Sequence, residues 1–156
     1  MKLFVEWDRI LKLKDATKED LIYSVDLQKV LTAPGVYVFA RRWGSGFEAL
    51  YVGKANGIRG RVKSQLNNLR LMQHLKNAKI GGRVLLCGRI DTRPGQQLEK
   101  SLLLIERGLI RYFLSEGFDL VNKQGTRLRR HEVTASGKHP KRFVPKLMYV
   151  EKSRGD

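Results

Sequence analysis

The chain has 156 residues, 31 Lys and Arg against 15 Asp and Glu, a formal net charge of +16, and one cysteine. That length suits one domain with one core, and the charge draws polyanions, nucleic acid first and an anionic membrane surface second. The single cysteine excludes an internal disulfide and any zinc site built on several cysteines.

No apolar run approaches the ~18 residues of a membrane span. The start, MKLFVEWDRILKLKD, scatters charges through its apolar residues, unlike a secretory signal. The expected location is cytoplasmic, with no membrane partner. Residues 54–93 hold ten basic residues and one acidic, and residues 123–156 hold ten and three. Those two segments carry the positive field.

Residues 1–32 read as an N-terminal extension packed on the core, charged and of mixed period. DLQKVL forms a short helix capped by Asp26 before Pro34-Gly35 breaks the chain. GVYVFARR and FEALYVGKA are rich in Val, Phe, Tyr and Leu, and the WGSG between them supplies a reversal, so the pair reads as a hairpin. GRVLLCGRI is a third strand, with Cys87 as a small core side chain. A hairpin centred on Gly44 sets Tyr37 and Tyr51 directly opposite each other, on one face. Aromatic cross-strand pairs also stabilise sheets, so position alone assigns them no chemistry. Trp43, in the turn, is read as incidental, with base stacking as its functional alternative.

Residues 57–70 predict a helix whose apolar stripe is Ile58, Val62, Leu66 and Leu69. Arg61, Gln65 and Asn68 flank the stripe on one side. Arg59 and Lys63 lie on the other and are candidate phosphate contacts. LMQHLKNAK predicts a second, short helix with His74 on its surface. GKANGIRG lacks the glycine spacing and the Ser or Thr of a nucleotide-binding loop.

Residues 97–115 predict the longest helix. Leu98, Leu102, Leu103, Ile105, Leu109, Ile110, Phe113 and Leu114 form a broad apolar arc with Glu106 in its middle. A carboxylate facing a core requires a cation, an arginine or a changed pKa. Glu99 points the same way but sits at the helix start, where a carboxylate suits the dipole. Glu99 is therefore structural and Glu106 chemical. Residues 123–156 form a basic C-terminal extension with an alternating run near Leu147 to Val150. It is either a DNA contact, through Arg127, Arg129, Arg130, Lys141 and Arg142, or a solvated tail.

Gly35-Val36-Tyr37, then Tyr51-Val52-Gly53, then Arg61 on a helix, then Glu106 and Asn122 resemble the GIY-YIG nuclease family over residues 33–122. Five elements in order, with Tyr51 and Arg61 at the family's usual separation, make the match specific. The resemblance implies an α+β fold, a small three-stranded antiparallel sheet flanked by helices. It also implies hydrolysis of phosphodiesters with one divalent metal, Mg²⁺ or Mn²⁺. In that reading Glu106 is the sole protein ligand of the metal, and Arg61 is the cation beside the scissile phosphate. Tyr37 activates or positions water, Tyr51 and Lys54 sit beside it, and Asn122 closes the site. A phenol in water titrates near pH ~10, so Tyr37 needs a cation such as Lys54 to act as a base near neutrality.

Val replaces the central Ile of both tripeptides. Gln65 stands where family members often carry His or Tyr, and it cannot take a proton. Residues 1–32 and 123–156 lie outside the resemblance. The expected function is a metal-dependent DNA endonuclease, monomeric or homodimeric, with RNA open as a substrate. The alternative is a non-catalytic nucleic-acid-binding module that retains the nuclease fold.

Overall fold

The computed structural model describes residues 2–121, 130–138, 140 and 142–152. In chain order the elements are β1 (Phe4–Trp7), β2 (Leu11–Lys12), β3 (Lys14–Asp15), β4 (Tyr23–Ser24), β5 (Gly35–Trp43) and β6 (Gly46–Ala55), followed by α1 (Ile58–Leu66), α2 (Leu69–Asn77), β7 (Gly82–Asp91), α3 (Leu98–Ser115), β8 (Arg130–Thr134) and β9 (Leu147–Glu151). Asp26 caps a single 3₁₀ turn, Leu27–Lys29, by accepting from Gln28 N–H at 3.2 Å.

The class is α+β, as expected, but the sheet is larger than three strands. Its order is β1-β7-β5-β6, with β2 pairing β7 beyond β1, and every pairing is antiparallel. β5–β6 is the expected hairpin and β7 the expected third strand. The extra strands come from the N-terminal extension, which covers an edge of β7 that otherwise presents unpaired N–H and C=O groups. Strands of four and two residues carry too little alternation to stand out in a charged segment.

Alternation along β5, β6 and β7 divides the core in two. Tyr37, Phe39, Tyr51, Leu85 and Cys87 face α1 and α2, packing on Ile58, Val62, Leu66, Leu71, Met72 and Leu75. Val38, Ala40, Val52 and Val84 face α3, packing on Leu109, Ile110, Phe113 and Leu114. Full burial of a Val, Leu, Ile, Phe or Met side chain contributes ~1.5–3 kcal/mol.

The two helices predicted over 57–70 and 71–79 are present, but the break between them falls earlier: α1 ends at Leu66 and α2 starts at Leu69. Asn68 adopts an extended conformation and caps α2 by accepting from Leu71 N–H at 3.2 Å, an alternative to the helix ladder that asparagine readily takes. Leu69, placed on the apolar stripe by a continuous helix, is 70% exposed as a result. α3 matches its expected span to within a residue. Its buried stripe is narrower than the apolar arc, leaving Leu103 of that arc partly in solvent, while Glu106 is 3% exposed.

β8 and β9 pair and dock on the end of α3. The Arg130 guanidinium donates to Phe118 C=O and lies 4.5 Å over the Tyr149 ring. Gly117 has φ 84°, and a side chain there would run into Tyr149. Among the described residues no helix is long and apolar enough to cross a membrane.

Candidate active site

Tyr37 and Tyr51 share a face but are not directly opposed. Tyr37 pairs with Gly53, and Phe39 pairs with Tyr51. The register then slips by one, leaving Leu50 as the extra residue of a bulge. The tyrosines are diagonal neighbours with ring centres 5.9 Å apart and both rings 1% exposed. Gly53 makes this possible, because a Cβ at that position would overlap the Tyr37 ring. Gly35 has the same kind of reason: a Cβ would strike Gly88 C=O on β7 and the Ile58 side chain at the start of α1.

One side chain joins the two phenols. Gln65 Nε2, on α1, donates to Tyr37 Oη at 3.1 Å and to Tyr51 Oη at 3.0 Å. Its Oε1 accepts from Asn68 Nδ2 at 3.3 Å. Gln65 is 8% exposed. Sequence reasoning registered Gln65 only as a lost base. The signal that points to its role is its position on the helix face shared with Arg61, over a pair of tyrosines.

Arg61 is exposed on α1, and its charge acts on both phenols, favouring ionisation. Glu106, from α3, acts on Tyr51 in the opposite sense. Burial dominates both rings and pushes both phenols above the ordinary tyrosine range, Tyr37 the further. Both are protonated near neutrality. Arg61 thus acts on both tyrosines and Glu106 on Tyr51, the three charged or phenolic partners of Tyr51 coming from three other elements.

Lys54 does not join them as expected. It pairs with Val36, and strand alternation turns it to the opposite face from Tyr37 and Gly53. Arg61, not Lys54, is the cation that acts on Tyr37. The expectation that Lys54 makes Tyr37 a base near neutrality fails for that reason. Val121 bridges to Tyr51 and donates to Leu50 C=O at 3.2 Å, so the chain returns along the outer edge of β6. Asn122, the next residue, lies outside the described residues, as do Arg127, Arg129 and Lys141.

The expected phosphate contacts separate into two groups. Arg59 donates to Val30 C=O at 3.0 Å and Gln28 C=O at 3.1 Å, tying α1 to the N-terminal extension. Arg130 is likewise held, under the C-terminal hairpin, by Phe118 C=O and the Tyr149 ring. Lys63 and Arg142 are exposed. His74 is not a plain surface histidine, since its Nε2 lies 3.0 Å from Asp119 C=O. Glu99 is structural, as expected, accepting from Asn56 Nδ2 at 3.0 Å. Trp43 is stacked by Arg41, whose Cζ lies 3.8 Å from the ring centre while the guanidinium pairs with Glu48 at 2.6 Å. Cys87 is buried beside Tyr37, and burial pushes its thiol up to about 12.

Among the described residues, no cluster of three or more His, Cys, Asp or Glu converges on one point. Among the described residues the site offers one carboxylate, Glu106. That donor set suits a hard divalent ion that keeps water and phosphate oxygens as most of its ligands, and not zinc. Compared with protein-family models, with curated proteins and with solved structures, the chain matches none.

Proposed function

We propose that this protein is a metal-dependent endonuclease of the GIY-YIG type that hydrolyses DNA phosphodiester bonds. The observation that carries the reading is the meeting at Tyr51 of residues from four elements: Tyr37 of β5 packs beside it, and the charges of Arg61 on α1 and Glu106 on α3 both act on it. A sheet-stabilising aromatic pair needs neither the buried carboxylate nor the arginine. A non-catalytic nucleic-acid-binding module explains the +16 charge but does not require a carboxylate on a buried helix face.

In this reading Arg61 places planar N–H donors on the non-bridging oxygens of the phosphate, where charge grows as phosphorus becomes pentacoordinate. A tyrosine activates the attacking water by hydrogen bonding to it and fixing its line of approach. The water oxygen forms the new P–O bond and gives up a proton to solvent, the P–O bond to the leaving nucleoside breaks, and the leaving oxygen takes up a proton from solvent. Glu106 would hold Mg²⁺ or Mn²⁺, which when bound supplies a Lewis acid for the developing oxyanion. The exposed positive charge of Lys63 and of the C-terminal hairpin attracts the phosphate backbone without reading sequence.

The test is incubation of the full chain with supercoiled, single-stranded and branched DNA, with Mg²⁺ or Mn²⁺ and with chelator. Cleavage with metal that chelator and Glu106→Gln both abolish supports the reading. A folded protein that binds these DNAs and cuts none of them in either metal overturns it in favour of the binding module.

A further inference from the structure

The face of the sheet turned away from the tyrosines carries a pocket of about 290 Å³. Its floor is Val38 and Ala40 of β5, Ala49 of β6 and Leu86 of β7. Ala40 and Ala49 oppose each other across the β5–β6 ladder, so two methyl groups stand where larger side chains would close the space. The walls are aromatic. Trp7 rises from β1 at one side of the sheet and Phe47 from β6 at the other, while Phe113 and Phe118, stacked with ring centres 5.9 Å apart, line it at the end of α3. Trp7 pairs with Gly88, where a Cβ would fall 3.1 Å from the indole, so the glycine leaves room for the ring. Trp7 remains 43% and Phe47 36% exposed. Clustered aromatic surface left open to water marks a binding surface.

The chemistry of the lining defines the occupant. The Trp7 indole N–H is the one polar side-chain group in it, so recognition is by stacking and shape and not by a hydrogen-bond pattern. Ligand clefts usually measure about 300–1,000 Å³, so this one suits a single flat ring rather than an acyl chain. At the rim stands a cation. Arg42 shares the strand face of Ala40, is exposed, and lies with its Cζ 5.3 Å over the Phe47 ring. Among the described residues Arg42 forms no ion pair, whereas its neighbour Arg41 is buried and held by Glu48 and by Ile80 C=O. A flat ring attached to an anion meets both features, and a chain of net charge +16 draws polyanions.

We infer that this pocket is a second nucleic-acid site, which takes one unstacked base of a single strand against Trp7 and Phe47 while Arg42 meets the adjoining phosphate. The pocket opens on the sheet face opposite Tyr37 and Tyr51, so the base it holds belongs to a nucleotide other than the one cut. A paired base in a duplex has both faces covered by its neighbours. The site therefore favours single-stranded, gapped or branched nucleic acid, and it accepts any base, since every base has a face to stack. Binding there needs neither metal nor cleavage and stands apart from the nuclease reading.

The test uses the full chain carrying Trp43→Phe, which leaves Trp7 as its one tryptophan, in chelator so that no strand is cut. Oligothymidylate about 8 nucleotides long, a blunt hairpin duplex, inorganic polyphosphate and laurate are titrated in turn at one ionic strength. The single strand is expected to quench Trp7 emission, and the other three are not. Trp7→Leu is expected to weaken single-strand affinity ~10–100-fold, read from the anisotropy of a labelled strand, with hairpin affinity changed by less than about twofold. Ala49→Leu fills the floor and keeps the indole, so it should abolish the quench and weaken the strand to a similar degree, with a thermal melt confirming the fold. Single-strand binding that leaves Trp7 emission unchanged overturns the inference whatever the variants do, and so does the absence of strand binding. A quench given equally by polyphosphate also overturns it, as does one by laurate that the strand fails to displace, which would make the occupant an anionic amphiphile. Quenching by the strand in a chain that cuts no DNA with metal would retain the base pocket and remove the nuclease reading.

Discussion

Gly53 lies directly across the β5–β6 ladder from Tyr37, and the Tyr37 ring fills the volume that a side chain at 53 would take. A methyl group there has no room unless the ring moves. Gly53→Ala is expected to lose ~1–3 kcal/mol, as overpacked cores do, and to break the Gln65 bond to Tyr37. Urea unfolding measures the first effect and cleavage rate the second. Tyr37→Phe removes only the hydroxyl and should cost ~1 kcal/mol. A Gly53→Ala protein as stable and as active as the parent would mean that the ring does not depend on the glycine.

Glu106→Ala is expected to abolish cleavage while leaving DNA affinity nearly unchanged, because the carboxylate serves the metal and not the basic surface. Affinity should rise slightly as a negative charge disappears near the phosphate. Cleavage in Mg²⁺ at the parental rate would remove Glu106 from the metal site.

The C-terminal hairpin separates binding charge from structural charge. Lys138→Ala, Arg142→Ala and Lys146→Ala together should weaken DNA binding and flatten its salt dependence, since log K changes with log salt by about −0.9 per neutralised phosphate. Arg130→Ala should instead destabilise the fold, because its guanidinium serves Phe118 C=O and the Tyr149 ring. A salt series on the triple variant and a thermal melt of Arg130→Ala test the division. Identical salt slopes would exclude the hairpin loop from the interface.

Stability should fall with alkaline pH in two stages. Burial holds the Cys87 thiol up to about 12 and both phenols above their ordinary range. The unfolded chain therefore loses these protons first, from about pH 8.5 for the thiol and about pH 10 for the phenols, and binds fewer protons than the native state. Stability then drops by ~1.4 kcal/mol per pH unit for each group in its window. Urea midpoints from pH 7 to 11 should decline accordingly, and Cys87→Ala should remove the decline between about pH 8.5 and 10 and lessen its slope above that. A parent curve that is level there would contradict the buried thiol.

The sequence by itself determined what depends on local period and composition. The hairpin, the third strand and α3 follow from alternation and from a 3.6-residue stripe. The placing of Glu106 on the buried face of α3 follows from the same stripe, because a helix of 18 residues gives its period room to repeat. Only the tertiary structure decided what depends on where distant segments meet. The turn, closed by Trp43 and Gly46, and the bulge at Leu50 each shifted the register by one, moving Tyr51 from opposite Tyr37 to a diagonal on the same face. Gln65 lies 28 residues from Tyr37 and 14 from Tyr51, so nothing local distinguishes it from any polar residue flanking a helix. Its partner Asn68 looked like one more helical position until a cap set the break between the helices there. Arg59 and Arg130 counted as free charge until backbone carbonyls from remote loops claimed them. Sheet register and hydrogen-bond partners are set by packing the whole chain at once, and no window of residues along it contains that information.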